Sequence, residues 1–257
     1  MNGIVNLLKM SDSKQKYFNF PISLISSFLE NHKECLKDIY DFATYAKCLS
    51  YVGKRGFEWL ENLDELHKDD IESLVSLTDR FFRRKTGNKI ETFKNGKLLY
   101  DSIPESMPKV GLNLNIFWDY YENDKTEFDK VCLLAFLSIK SILQNKAYCK
   151  ITNKYMLARM LGESKSLKDE SELLGTNLFK YRKRYHLDKL KSELELNWGL
   201  KYYSRHTRGF YVSFKLSLED LIFQAEKKRK STLKKQKEFE KKNALQRALR
   251  RLENDNK

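Results

Sequence analysis

The stretch Thr126–Leu143 restricts this fold more than any other part of the chain. Val131, Leu134, Ser138 and Ile142 fall at helical spacing, and so do Leu133, Phe136, Leu137 and Leu143. A helix that is apolar around most of its girth has to lie inside a core, with other elements packed around it. Thr126 is placed to cap its start, and Glu127 and Asp129 fall in the first turn, where the helix dipole favours acids. The run is too short and too closely flanked by lysine to span a membrane.

The segments that follow are read from the same kind of pattern. Tyr148–Ile151 suits a short strand. Thr152 or Asn153 then caps a helix over Lys154–Leu161, and Gly162 suits its C-terminal turn. Ala158 lets that helix pack closely on a neighbour. A polar insertion, Glu163–Glu172, leads to a third helix starting near Thr176–Asn177. Leu187, Leu190 and Leu194 form its inward face. Arg182, Tyr185 and Lys189 share the opposite face, flanked by Arg184 and His186. Trp198–Gly199 ends it. Leu200–Ser204 and Phe210–Phe214 alternate as a hairpin does, with Arg205-His206-Thr207-Arg208-Gly209 at the tip. Half of the hairpin aromatics should face the core, which leaves Tyr181 and Tyr185 as outward candidates for contact with phosphates or base edges.

This order of elements over Phe128–Phe214 resembles the winged helix-turn-helix family. The resemblance covers roughly the third quarter of the chain and rests on pattern, with no signature as specific as a metal-binding spacing. The insertion before the third helix departs from the compact form. What the resemblance implies is a DNA-binding domain whose third helix enters the major groove and whose wing grips flanking phosphates. The residues expected to contact DNA are Lys154, Thr176, Asn177, Tyr181, Arg182, Lys183, Arg184, Tyr185 and Lys189, with Arg205, His206 and Arg208 on the wing.

The charge distribution points to the same half of the chain. The net charge is +14, yet residues 1–149 hold 21 Lys+Arg and 21 Asp+Glu. Residues 150–215 hold 15 against 7, and residues 224–257 hold 13 against 5. A polyanionic partner for the C-terminal half is the simplest reason for this segregation. The tail opens with Lys227-Lys228-Arg229-Lys230, read either as a solvated helix or disordered segment, or as a phosphate-binding arm.

The N-terminal half reads as helical. Tyr17–Pro21 alternates and stops at proline, and a helix over Ile22–Leu29 follows. Further helices are expected over Lys33–Tyr51, Phe57–Leu66 and Ile71–Phe82, the last ending in Arg83-Arg84-Lys85. Gly87–Tyr100 is turn-rich, with Lys94-Asn95-Gly96-Lys97 as a hairpin turn. Pro104 and Pro108 mark a linker, and Val110–Tyr121 is an aromatic approach to the core helix. A short strand, a proline and helices ahead of the C-terminal unit also faintly resemble plasmid and phage replication initiators with tandem winged helices. That resemblance implies one domain on origin repeats and another that dimerises or binds DNA too.

Sites for chemistry are sparse. His32, His67, His186 and His206 are scattered, and Cys35, Cys48, Cys132 and Cys149 form no C-x-x-C pair. Gly53-Lys54-Arg55-Gly56 is too short for a phosphate loop. Met1–Met10 lacks the long apolar run of a signal peptide. The expectation is a mainly α protein with small β-hairpins, divided as 1–16 flexible lead-in, 17–103 helical domain, 104–123 linker and approach segment, 124–223 winged helix and 224–257 basic helical or disordered tail. It is expected to be cytoplasmic, without cofactor, metal, membrane contact or enzymatic activity, with a homodimer as one option for its assembly. Its function is expected to be sequence-specific binding of duplex DNA, as a replication initiator of a mobile element or a transcriptional regulator. The alternative is a protein or RNA interaction module anchored by the tail.

Overall fold

A computed structural model describes residues 16–55, 66–205 and 208–255. The chain is mainly helical with small antiparallel sheets. Strand β1, Tyr17–Pro21, is followed by a 3-10 turn over Ile22–Ile25 and by helices α1, His32–Arg55, α2, Lys68–Phe82, and α3, Lys89–Ser102. Strand β2, Lys109–Asn113, leads into α4, Leu114–Glu122, and α5, Glu127–Leu143. Then come β3, Cys149–Ile151; α6, Asn153–Met160; α7, Arg184–Asn197; strands β4, Lys201–Tyr203, and β5, Phe210–Ser213; and α8, Leu218–Asp255.

Helix α5 is the axis of the molecule. Thr126 closes a capping box: its Oγ1 accepts from the Asp129 N–H at 3.1 Å, and Asp129 Oδ2 accepts from the Thr126 N–H at 3.2 Å. Eleven of its 17 residues are buried, so it has no solvent face wide enough to be a surface helix. Around it a single apolar cluster runs from Phe18 and Phe20 through Phe117 and Leu137 to Leu190 and Val212. Both halves of the chain therefore share one core.

Several expectations need correction. Part of the segment expected as linker and approach is a strand. Lys109–Asn113 pairs antiparallel with β1, placing Phe20 opposite Val110 and Phe18 opposite Leu112. A five-residue strand needs a partner to satisfy its backbone, and Val110 and Leu112 supply an alternating apolar face. The aromatic approach is α4, with Phe117 and Tyr120 fully buried. Helix formation over Ile22–Leu29 is confined to the 3-10 turn at Ile22–Ile25. The helix expected over 57–66 lies outside the described residues except for Leu66, which is not helical, and so does most of the lead-in.

Lys94-Asn95-Gly96-Lys97 is not a hairpin turn but the middle of α3. Asn88 caps that helix, accepting from the Glu91 N–H at 3.1 Å. Gly96 serves packing, since a Cβ there would overlap the Asp41 carbonyl of α1. A second cluster, Tyr45, Cys48, Ile71, Leu74, Val75 and Phe93, seals α1, α2 and α3 together.

Candidate nucleic-acid interface

The C-terminal half is assembled on α5. Thr152 caps α6, accepting from the Tyr155 N–H at 3.1 Å. The helix ends in a left-handed turn at Gly162, φ 81°, with the Glu163 N–H bonded to Ala158 O and the Gly162 N–H to Arg159 O. A Cβ at Gly162 would lie 3.0 Å from Ser23 O, so this turn docks on the 3-10 segment after β1. The chain then makes two more 3-10 turns, Glu170–Leu173 and Phe179–Arg182, before α7.

The start of the third helix is thus corrected from Thr176–Asn177 to Arg184. Gly175, φ 78°, breaks the backbone, and Thr176 spends its hydroxyl on Leu173 O at 2.8 Å. Asn177 is exposed beside it. Tyr181 is not an outward residue. It is 3% exposed, and burial pushes its phenol pKa up to about 12. Arg182 is exposed but precedes α7, its guanidinium 3.9 Å from the Phe179 ring centroid. Lys154 is half-buried on α6, where its amine donates to Lys168 O at 3.4 Å and helps fold the Glu163–Glu172 insertion back on that helix.

Helix α7 presents its first turn to solvent. Leu187, Leu190 and Leu194 are buried, as their spacing requires, and pack the helix on the body. Lys183 is the N-cap residue, and no side chain caps the helix start. Lys183, Arg184, Tyr185 and Lys189 are all exposed, Tyr185 at 74%. Arg184 Nε donates to Asp188 Oδ2 at 3.2 Å, a solvent-exposed pair that is worth little and exchanges readily. Lys189 lies 5.0 Å over the Phe128 ring at the start of α5. The first turns of α1, α2, α3, α5 and α8 each carry an acid, whereas that of α7 carries none. Helices α4 and α6 lack one too, but the side chains of Asn113 and Thr152 cap them. A basic start with no acid in its first turn runs against the helix dipole.

Pattern reading missed Lys191. It stands on the inward face, one turn after Leu187, and is 8% exposed. Its amine donates to Asn153 Oδ1 at 3.0 Å and lies 4.0 Å over the Phe210 ring, joining α7 to the start of α6 and to β5. Desolvation is the main reason its pKa is lowered. Its i+4 spacing from Leu187 was the available signal. Arg159 was missed too. Its Nη2 donates to Tyr155 Oη at 2.7 Å, while its buried Nε and Nη1 have no hydrogen-bond partner.

The ribbon is the outer part of a three-stranded sheet in the order β3-β5-β4. Ile151 pairs with Phe210 and Tyr203 with Tyr211. Both faces of β5 are covered, so the simple division into core-facing and open aromatics does not hold. Phe210 and Val212 enter the main core, while Tyr211 packs with Leu221 and Ala225 of α8. Arg205 and Arg208 are exposed at the tip, and His206 lies outside the described residues. Gly209, φ 86°, turns the tip back so tightly that a Cβ would overlap Ile151 O.

Helix α8 spans 38 residues, about 57 Å at 1.5 Å per residue. Its first turns pack on β4 and β5, and Tyr203 Oη donates to Glu226 Oε1 at 2.8 Å. Lys227, Lys228 and Lys230 are exposed, with Lys228 4.6 Å over Tyr148. Arg229 is half-buried and donates to Glu226 at 2.8 Å, so it is less available than its neighbours. Residues 231–242 are exposed on every side.

Among the described residues no group of three or more His, Cys, Asp or Glu side chains could hold a metal ion. Nor is any described helix long and apolar enough to cross a membrane. The chain matches no protein-family model, no curated protein and no solved structure.

Proposed function

We propose that this protein binds duplex DNA at specific sequences through a winged helix-turn-helix built from α5, α6, α7 and the β3-β5-β4 sheet. The observation that carries the reading is the start of α7, where Lys183, Arg184 and Tyr185 are exposed with no acidic residue in the first turn and no capping side chain, Arg184 reaching Asp188 one turn on. Free N–H groups and cations at a helix start suit a phosphate or the edge of a base. Arg184 and Tyr185 enter the major groove, with Lys189 on the same helix. Arg182, fixed against Phe179 just before the helix, reaches the groove edge, and Arg205 and Arg208 at the ribbon tip, with His206 next to Arg205 in the sequence, grip flanking phosphates. The exposed basic length of α8 adds sequence-independent affinity. The process served is the initiation of replication of a mobile element or the regulation of transcription.

The test is binding of the full chain and of Arg184→Ala to a selected duplex and to random duplex. An arginine that reads guanine contributes roughly 1–3 kcal/mol of discrimination, so the variant loses affinity chiefly for the selected site. Equal losses on both duplexes would remove Arg184 as a base reader.

A further inference from the structure

Tyr185 interrupts the basic start of α7. It is 74% exposed, and its neighbours Lys183, Arg184 and Lys189 are exposed cations. Tyr185, Lys189 and Ser192 fall at i, i+4 and i+7, on one strip of the helix opposite Leu187, Leu190 and Leu194. Protein backs the ring on one side. His186 meets it edge-on, with centroids 5.2 Å apart and planes at 77°, and His186 in turn lies 6.0 Å from the ring of the buried Tyr181. Lys189 is drawn toward α5, its amine 5.0 Å from the Phe128 ring centroid. An aromatic ring thus projects from the face whose cations attract a polyanion.

A ring held in water gains free energy by burial against another apolar group. With α7 in the major groove, the reading on which this assignment rests, the choice of such groups is narrow. Base edges there present nitrogen and oxygen donors and acceptors, and the C5 methyl of thymine is the one apolar group among them. Covering a polar base edge with the ring would take that edge from water without replacing its hydrogen bonds. Phosphates are the natural partners of Lys183 and the other cations around the ring. Insertion of the ring between base pairs would cost the duplex its stacking, and such wedges act from the minor groove. We infer that Tyr185 reads thymine, its ring packing on the C5 methyl group of one thymine in the site bound by α7. The ligand is therefore duplex DNA with a thymine at a defined position, selected by its methyl group. The tyrosine hydroxyl takes no part in the contact.

The test starts from the duplex that the full chain selects. Its thymines are replaced by uracil one at a time, which removes a methyl group and keeps every hydrogen-bonding group. Each duplex is titrated with wild type, Tyr185→Phe and Tyr185→Ala, variants of an exposed side chain that leave the core untouched. Wild type and Tyr185→Phe should lose about fourfold in affinity at one thymine position, the effect expected of one buried methyl group. Tyr185→Ala should bind the unmodified duplex more weakly and be indifferent to uracil at that position. A selected site that lacks thymine, or tolerates uracil at every position, overturns the assignment and leaves α7 as the reader. Tyr185→Phe as weak as Tyr185→Ala overturns it too, by giving the hydroxyl the contact. A uracil effect that persists in Tyr185→Ala does the same, by giving the methyl to another residue. Failure of the full chain to select any duplex removes both the assignment and the reading beneath it.

Discussion

The Lys191 amine donates to Asn153 Oδ1 across 3.0 Å, tying the inward face of α7 to the first residue of α6. This is a buried cation with a neutral partner, and it also lies over Phe210. Burying an ammonium costs stability, and similar apolar volume in its place is often neutral or stabilising. Lys191→Met is therefore expected to leave urea stability within about 1 kcal/mol of wild type or to raise it. If α7 reads duplex DNA as proposed, the discrimination between selected and random duplex should fall, because α7 loses its polar register against α6. A loss of more than about 3 kcal/mol would show instead that the amine is a net source of stability.

Gly96 sets the spacing of α1 and α3. Gly→Ala inside a helix ordinarily gains about 1 kcal/mol from propensity. Here the new methyl would meet the Asp41 carbonyl, which is backbone and cannot swing aside. Overpacking of this kind typically costs about 1–3 kcal/mol, so Gly96→Ala should be net destabilising in chemical denaturation. A stabilised variant would contradict the close helix approach.

Alkaline pH provides a second test of the packing. Burial pushes the Cys35 and Cys48 thiols up to about 12 from their ordinary 9.0. The stability linked to each thiol is fully present below pH 9.0 and is lost as pH rises from there toward about 12, because the unfolded chain ionises first. Lys140 and Lys191 act in the opposite direction. Desolvation lowers both, so their contribution rises with pH below 10.5. Cys132 and Tyr120 add to the loss, since burial raises both. The urea midpoint should fall between pH 9.0 and 10.5, and Cys48→Ala should flatten that fall. An unchanged slope in the variant would contradict a buried, protonated Cys48.

Residues 231–257 hold nine Lys+Arg and four Asp+Glu. Removing them should barely change thermal stability, because the described side chains over 231–242 are exposed. If the chain binds duplex DNA as proposed, affinity for every sequence falls alike. The salt dependence of log K becomes shallower by about 0.9 for each phosphate that the tail neutralises in the intact chain. A weakening confined to one sequence would give the tail a reading role that the proposal does not assign.

Much of this architecture is legible in the chain because the signals are local. The cap at Thr126 and the spacing of Leu187, Leu190 and Leu194 each act within a few residues, and each is found where the pattern places it; the alternation about Phe210 is not, because all four residues of β5 are buried. Local pattern fails where a distant partner decides. Asn95-Gly96 has the composition of a turn, but the glycine answers to Asp41, 55 positions earlier in the chain. Lys109–Asn113 reads as the end of a linker and the start of an approach to the core helix until it pairs with Tyr17–Pro21. The pattern starts α7 too early because a 3-10 turn over Phe179–Arg182 and the extended Lys183 interrupt a stretch with helical composition. That displacement buries Tyr181 and takes Arg182 off the helix. Lys191 is hidden from pattern because a lysine on an inward face is usually assigned to solvent.

The most direct measurement is selection by the full chain from a pool of randomised duplexes at ~150 mM salt, where nonspecific phosphate binding is weakened. If α7 reads the site, one recurring sequence is enriched, and Arg184→Ala relaxes the preference at defined base pairs. No enrichment, or the same enriched sequence with undiminished preference in Arg184→Ala, would contradict α7 as the reader of the site.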